Sequence, residues 1–255
     1  MTRPVPGVAL VTIDRPHKSN AIDPATDRAM GEALAALEQD DDVRCIVLTG
    51  AGDKAFCAGA DIPELLPHLR RNIAEGRDDP QFCGATHRHE TSKPLVAAIN
   101  GAALGGGLEL ALACDLRLAS SNASFGLPEI TVGVLAGGGG CTRLPRTVPA
   151  ALAAEMILTG QAIDAQRALQ AGLVSEVIAF EALLPRALAL AQQIATRAPL
   201  ALRACTELLR RPRFVELQDA LAAERAAFAR VLLSEDAHEG IRAFAQKRAP
   251  VYQAR

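Results

Sequence analysis

Aromatic side chains are scarce in this 255-residue chain, which has no tryptophan, one tyrosine and seven phenylalanines. Proteins that bind single-stranded nucleic acid stack bases on aromatic platforms, so this composition argues against such a role. The formal net charge is only -2, with 27 basic against 29 acidic side chains. The chain therefore has no overall field that would attract nucleic acid or an anionic membrane, and an anionic ligand must be held by local groups.

Long apolar runs and paired cysteines are also missing. The longest uncharged run, Pro94–Leu108, contains Asn100 and four glycines, and it is shorter than the roughly 18 to 20 residues that a membrane span requires. Met1–Gly7 carries two prolines and no apolar core of signal-peptide length. The six cysteines are scattered without a CxxC spacing, which indicates free thiols in a reducing compartment. We predict a cytoplasmic protein with no membrane partner and no metal site.

The first 180 residues alternate between strand and helix patterns, which is typical of α/β folds with mainly parallel sheets. Asp23 is a predicted N-cap with Pro24 at the first helical position, opening a helix that ends near Gln39. Gly50–Asp61 is predicted to be a loop, and the polar Pro63–Ser92 stretch shows no clear pattern. Strands are predicted at Gly7–Ile13, Val43–Thr49, Pro94–Ile99, Asp115–Ala119 and Leu173–Ile178.

From Glu181 onward the chain has the composition of helices, broken at Pro199 and Pro212. We therefore predict an α/β core over residues 1–198 and a helical region over residues 199–255. The segment Leu217–Leu233 is rich in Ala and Leu on more than one face. Such a helix packs either on its own core or against another subunit, and the pattern alone favours neither.

Three segments carry candidate chemistry: Phe56–Asp61, Ala103–Glu109 and Gly126–Ile130. In the second, three consecutive glycines precede a predicted helix, whose first N–H groups are free donors that suit a developing negative charge on oxygen. The same glycines fit a tight strand-to-helix connection. They do not complete a GxGxxG dinucleotide motif, and the chain contains no GxxxxGK[ST] phosphate loop.

Glu109 and Glu129 are candidate acid/base residues. Glu109 stands among leucines and alanines, and Glu129 follows Pro128 in an apolar turn. Burial raises the pKa of a carboxyl group, so each is suited to proton transfer, although each also fits a structural role. Together they provide the pair of carboxylates that addition or removal of water uses. His87–Glu90 has a metal-like spacing but lacks a third ligand, so a solvated segment is predicted there.

Four stretches carry a family resemblance: FCAGAD, NGAALGGGLELALACD, FGLPEITVG and EGIRAFAQKR. With the opening Ile13–Ala21, they resemble the enoyl-CoA hydratase/isomerase family of the crotonase superfamily along nearly the whole chain. The resemblance implies an α/β fold built as a spiral of repeated ββα units with a C-terminal helical trimerisation region. It also implies an acyl-CoA substrate, no metal, no redox cofactor, and a homotrimer or homohexamer.

The resemblance further implies a role for each matching residue. The backbone N–H groups of Ala60 and Gly106 would form an oxyanion hole, and Glu109 and Glu129 would be catalytic. Coenzyme A would lie along Ala58–Ile62. The remaining substrate contacts implied by the resemblance are Ala58, Asp61, Ile62, Lys18, Phe244 and Lys247, with Lys54 as a further candidate for a phosphate.

Because both glutamates are present, the resemblance favours reversible hydration of a trans-2-enoyl-CoA to a 3-hydroxyacyl-CoA. Alternatives within the same fold are a Δ3,Δ2-enoyl-CoA isomerase and a carnitinyl-CoA dehydratase-like enzyme. A non-catalytic RNA-binding relative would need a basic helix, which this sequence lacks. Pro63 stands where the family often has a basic residue, and Ala136 where proline is usual. Acyl chain length, pathway and trimer against hexamer stay open.

Overall fold

The computed structural model describes residues 1–77, 82–86, 92–210 and 216–255. The strands in these ranges are Thr2–Val5 (β1), Val8–Ile13 (β2), Cys45–Gly50 (β3), Ala55–Cys57 (β4), Leu95–Ile99 (β5), Ala102–Leu104 (β6), Leu116–Ser120 (β7), Ser124–Gly126 (β8), Ile163–Asp164 (β9) and Glu176–Ile178 (β10). The α-helices are Pro24–Gln39 (α1), Ile62–Ala74 (α2), Gly106–Ala113 (α3), Gly140–Thr147 (α4), Ala150–Thr159 (α5), Ala165–Gln170 (α6), Phe180–Ala195 (α7), Pro199–Arg210 (α8), Leu217–Leu232 (α9) and Glu235–Ala245 (α10). Single 3₁₀ turns cover Pro16–Lys18, Phe82–Gly84 and Pro128–Val132.

The described strands form a large sheet in the order β1-β2-β3-β5-β7-β10 and a small sheet in the order β4-β6-β8-β9. Only the β1/β2 and β8/β9 pairs among them are antiparallel. The chain leaves the large sheet at β3, β5 and β7 and enters the small sheet at β4, β6 and β8. A helix follows each time, namely α2, α3 and, after a 3₁₀ turn, α4. The α/β class and the repeated ββα arrangement predicted above are confirmed.

The large sheet is buried on both faces, as the continuous apolar runs of its central strands predict. In β3, Ile46 and Leu48 join the core that α1 and the small sheet cover. Cys45 and Val47 point to the other face, where α7 packs. This alternation follows from the two-residue period of a strand. Two layers of packing therefore fix the carboxyl ends of β3, β5 and β7, from which the candidate loops emerge.

The start of α1 and the bounds of β2, β3 and β5 agree closely with the sequence-based boundaries. Asp23 caps α1 through its side chain, which accepts a hydrogen bond from Thr26 N at 2.7 Å.

The six cysteines are free, and Cys141 and Cys205 are exposed. Burial raises the pKa of Cys45 to about 12, so that thiol is unreactive. Among the described residues, no helix combines the length and the apolar character needed to cross a membrane.

Two predictions about irregular segments were wrong. The Pro63–Ser92 stretch begins within helix α2, whose Leu65 is fully buried while Leu69 packs beside the core. Pro63 obscured the helix in the sequence, but it stands in the first turn, where a missing N–H costs nothing. The Gly50–Asp61 loop contains β4, a strand too short to show periodicity. Its pairing with β6 creates the small sheet.

Two buried asparagines hold the turn that joins the sheets. Asn20 donates from Nδ2 to Ala55 O at 2.7 Å. Asn100 donates to Gly52 O at 2.7 Å and accepts from Gly50 N at 3.0 Å. These bonds satisfy backbone groups that β3 and β4 leave unpaired where the chain changes sheets. The division of the chain near Pro199 stays a prediction, although α8, α9 and α10 do follow as successive helices.

The asparagine contacts give a stability prediction. Asn100→Ala leaves the buried Gly50 N–H without its partner, and one such group costs about 1–3 kcal/mol. The bond to Gly52 C=O is lost as well, but Gly52 is exposed, so water can replace it. We expect the free energy of unfolding to fall by about 2 kcal/mol. Urea denaturation followed by far-UV circular dichroism measures it. Gln192→Ala, at an exposed position on α7, is the control and should change stability by less than about 1 kcal/mol. Equal losses in both variants would contradict this account.

Candidate active site

The loop after β4 and the glycine turn after β6 touch backbone to backbone. A Cβ atom at Gly59, where φ is +91°, would stand 2.8 Å from Leu104 O and 3.1 Å from Gly106 N. A Cβ at Gly107 would run into Cys57 O. Because β4 and β6 are parallel neighbours, their carboxyl ends emerge at the same edge of the small sheet. Glycine at both positions lets the two loops close to backbone contact.

Two unpaired N–H donors lie where these loops meet. Ile22 forms a bridge beside Ala60, donating to Gly59 O at 2.8 Å and accepting from Asp61 N at 2.7 Å. This pairing leaves the N–H of Ala60 on the opposite side of its strand. Gly106 is the first residue of α3, so its N–H has no partner within the helix. Among the described residues neither donor has a hydrogen-bond acceptor, and together they suit an oxygen that gains negative charge.

Glu109 points from the first turn of α3 into the interior, and it is only 4% exposed. Its Oε1 accepts a hydrogen bond from Gly140 N at 2.8 Å. A Cβ at Gly138 would stand 2.7 Å from Oε2. The glycine run before α4 therefore wraps closely around this carboxylate, and a larger residue at position 138 would displace it.

Glu129 lies opposite, in the 3₁₀ turn after β8, and it is half-buried. Its Oε1 would be 3.1 Å from a Cβ at Gly105, where φ is +54°. Its Oε2 is buried and has no hydrogen-bond partner among the described residues. A buried carboxyl oxygen without a partner favours the protonated state. The glycine turn thus lies against Glu129 and carries Glu109 four residues after Gly105.

The two carboxyl groups are electrostatically distinct. Burial raises the pKa of Glu129 to about 7, its own backbone N–H opposes this rise, and the negative charge of Glu109 adds to it. Burial also raises the pKa of Glu109, but hydrogen bonds from the backbone of Gly140 and Gly138 and the charge of Arg143 oppose the change. Glu129 is therefore suited to donate a proton near neutral pH, and Glu109 is suited to accept one.

An aromatic ring covers the glycine turn. Phe82 lies so close to Gly106 that a Cβ there would be 2.6 Å from its Cζ. The turn that carries the ring is docked on α1, where Cys83 N donates to Asp27 Oδ1 at 2.5 Å and Gly84 packs against Gly31. The paired donors and the carboxylates therefore have an apolar wall on one side.

The remaining predicted residues fall into two groups. Ala58 is half-buried and donates to Ser19 O at 3.1 Å, which places the exposed Lys18 beside the first loop. Ile62 is half exposed at the start of α2, and Lys54 is exposed just before β4. Asp61 is buried, and its contact with the substrate stays a prediction. Its carboxylate is 3.3 Å from the Arg15 guanidinium and buried, so its side chain fixes the loop and leaves only its backbone for a ligand.

Phe244 and Lys247 were predicted to contact the substrate, but within this chain they lie on α10 and just after it, on the surface. Phe244 is 87% exposed. Helix α10 packs against α9, which packs against α8. Contact of these two residues with the substrate therefore stays a prediction.

Sequence reasoning missed Arg143, Phe82 and the hydrogen bond from Gly140. The Gly137–Gly140 run was visible as an unusual glycine cluster, but nothing in the sequence showed that it closes on Glu109. No group of His, Cys, Asp or Glu in the described ranges could hold a metal ion. His87–Glu90, the segment with the metal-like spacing, lies outside the described residues.

Comparisons with known proteins identify the family that this chain is similar to. The sequence model of a family described as enoyl-CoA hydratase/isomerase matches residues 5–255. A 2,3-dehydroadipyl-CoA hydratase from Escherichia coli is 43% identical, covering 97% of this chain and 96% of that protein. A carnitinyl-CoA dehydratase from Proteus mirabilis is 41% identical, covering 96% and 94%. The crystal structure of an enoyl-CoA hydratase from Bacillus anthracis superposes with a TM-score of 0.91 at 36% identity, covering 99% and 97%.

The electrostatics of the site can be tested without any substrate. In ¹³C-labelled protein, we expect the Glu129 carboxyl to titrate with a pKa near 7, identified by its loss in Glu129→Gln. Glu109→Gln removes a negative charge from its surroundings and should lower that pKa. Glu155→Gln, an exposed position on α5, is the control and should leave it unchanged. A Glu129 resonance that titrates at an ordinary glutamate pKa would contradict the assignment.

Proposed function

Because this chain belongs to the enoyl-CoA hydratase/isomerase family, we propose that it reversibly adds water across the 2,3 double bond of a trans-2-enoyl-CoA, giving a 3-hydroxyacyl-CoA. The family and its relatives make the chain a crotonase-superfamily enzyme of hydratase or lyase type that acts on CoA thioesters. The observation that carries the proposal is a pair of carboxyl groups, Glu109 held by a backbone hydrogen bond and Glu129 with a buried oxygen that lacks a partner among the described residues, together with two unpaired N–H donors.

The thioester carbonyl would accept hydrogen bonds from Ala60 N–H and Gly106 N–H. As the oxygen of water bonds to C3, the Glu109 carboxylate takes a proton from that water. The C2–C3 π electrons move toward the carbonyl, where the two donors stabilise enolate charge by a few kcal/mol each. Glu129 then delivers its proton to C2. Water is thereby added across the bond with no net change in protons, and solvent exchange restores both glutamates.

Binding of coenzyme A rests on backbone groups and a few cations. Ala58, Asp61 and Ile62 offer backbone atoms along the first loop, while exposed Lys18 and Lys54 are candidates for the phosphates. Phe244 and Lys247 would complete the substrate contacts only from another subunit, because in their own chain they face outward. No metal or redox cofactor takes part in the proposed reaction.

A dehydratase acting on a polar acyl group is the second candidate. It would use the same two glutamates in the reverse direction, and the similarity to a carnitinyl-CoA dehydratase favours it. An isomerase moves one proton between C4 and C2 and has no need of a second carboxyl group. The retention and burial of both Glu109 and Glu129 therefore favour hydration chemistry over isomerisation.

Absorbance of the conjugated enoyl thioester separates these reactions. A hydratase bleaches a trans-2-enoyl-CoA in water, whereas an isomerase creates this absorbance from a 3-enoyl-CoA. We expect bleaching across a panel of short, branched, acidic and aromatic 2-enoyl-CoA thioesters, with the best substrate set by the acyl pocket. Appearance of absorbance from 3-enoyl substrates without bleaching would overturn the hydratase proposal.

In the same assay, Glu109→Gln and Glu129→Gln should each lower kcat by about 10²-fold or more, because each removes a proton-transfer group. Glu155→Gln on α5 is the matched control and should retain wild-type kcat. The alkaline decline of kcat/KM near pH 7 should disappear in Glu129→Gln, since the protonated form of Glu129 is the active one. Wild-type rates in both active-site variants would contradict the assignment.

We also propose that the chain forms a homotrimer or homohexamer. Helix α9 has an apolar stripe on one face, and this stripe is exposed in the single chain. Its members are Leu217, Leu221, Phe228 and Leu232. Four large apolar side chains at helical spacing favour burial against another subunit. Phe244 on the following helix is exposed as well.

Light scattering after gel filtration tests the assembly. We expect a mass of three or six times the 26.8 kDa of one chain. Phe228→Glu should shift the protein toward smaller species because it buries a charge in the interface, while circular dichroism verifies that it is folded. Gln166→Glu adds the same charge on the surface of α6 and should keep the wild-type mass. A monomeric wild type would overturn the proposal.

A further inference from the structure

Arg143 links two segments that border the site, and the proposed chemistry gives it no role so far. It lies on α4 and is half-buried. Its Nη1 donates to Gly138 O at 3.2 Å, and its Nη2 donates to Thr86 O. A Cβ at Gly139, where φ is +106°, would run into Nη1. The glycine segment therefore lies directly on the guanidinium.

The segment that Arg143 holds is the one that contacts Glu109. Gly140 donates its N–H to Glu109 Oε1 at 2.8 Å, and Gly138 lies against Oε2. Glycines are conformationally permissive, so a run of them has little intrinsic preference for one shape. A side chain that fixes the carbonyl of Gly138 therefore also fixes the donor that aims the carboxylate.

The second carbonyl that Arg143 binds, Thr86 O, belongs to the turn that carries Phe82. Thr86 accepts from Phe82 N through Oγ1 at 3.1 Å, which closes the turn that places the Phe82 ring over Gly106. One guanidinium therefore ties the Glu109 segment to the Phe82 turn. The planar fork of arginine can serve both carbonyls at once, which a lysine ammonium on a flexible stem does less well.

The charge of Arg143 acts on the same carboxylate. Arg143 lowers the pKa of Glu109 against the effect of burial, and Glu109 in turn supports the charged state of Arg143. The other titratable groups around the pair are Glu129 on the 3₁₀ turn and Cys114 after α3. Neither is a cation. Within the described ranges, Arg143 is thus the cation that favours an ionised Glu109.

We propose that Arg143 is a positioning residue for the general base, holding the Gly138–Gly140 segment against Glu109 and favouring the ionised carboxylate. The inference rests on the proposed function, because it assumes that Glu109 accepts a proton during catalysis. A purely structural arginine would contribute stability alone. The two roles differ in the pH dependence of the reaction.

The test compares two variants that separate charge from hydrogen bonding. Arg143→Gln keeps an N–H donor and removes the charge, so the acidic limb of kcat/KM should move to higher pH by about 1 pH unit. Arg143→Lys keeps the charge but loses the planar guanidinium that binds two carbonyls. The acidic limb of kcat/KM should therefore stay in place, while kcat falls about tenfold or more because Glu109 is no longer held in its orientation. Arg167→Gln on the surface of α6 is the control and should match the wild type in both respects.

An unmoved acidic limb in Arg143→Gln, together with a wild-type kcat in Arg143→Lys, would overturn the inference. Should Arg143→Gln fail to fold, as judged by circular dichroism, the kcat of Arg143→Lys decides the matter, and a wild-type value would overturn it. Glu109→Gln, measured alongside, separates the two hypotheses. If that variant is inactive while both Arg143 variants behave as wild type, the inference alone fails. If Glu109→Gln is fully active, the proposed function fails.

Discussion

The close approach of two backbones, at Cys57–Ala60 and at Gly105–Gly107, is the constraint on which the site depends. Hydrogen bonds of the small sheet bring β4 and β6 side by side, and the absence of a side chain at Gly59 and Gly107 lets their following loops touch. This contact places the N–H of Ala60 and that of Gly106 at one edge. It also sets the start of α3, and hence the direction in which Glu109 enters the interior, because a helix begins where its first turn is anchored.

Glu109 and Glu129 have the same side chain, but their electrostatic surroundings differ. Burial disfavours the ionised form of both glutamates. The backbone around Glu109 offsets this with a hydrogen bond, whereas Glu129 Oε2 has no partner among the described residues. Each negative charge also disfavours the other, so the pair holds one proton more readily than none. Two residues of the same type thereby acquire different tendencies to hold a proton.

The sequence predicted those helices and strands whose conformation is determined by neighbouring residues in the chain. Asp23 with Pro24 fixed the start of α1, and apolar runs marked the central strands. The short strands of the small sheet were missed, because three residues such as Ala55–Cys57 carry no periodicity and owe their state to pairing with β6. Glu109 and Glu129 were found from their apolar setting and the family resemblance. The hydrogen bond from Gly140 and the contacts of Arg143 were not, since they join segments that only tertiary packing brings together.

The same distinction applies to Asp61 and Phe244, whose contacts with the substrate stay predictions. A motif identifies a position but not which of its atoms face the ligand, and at Asp61 the carboxylate turns away to pair with Arg15, which also binds Ala21 O at 2.5 Å. That ion pair ties the loop bearing Ala60 to the segment before α1. Removing its charge would therefore shift the Ala60 N–H through the backbone. The side chain of Phe244 has few contacts within its own chain, because it is 87% exposed. Any apolar surroundings for it must therefore come from another molecule.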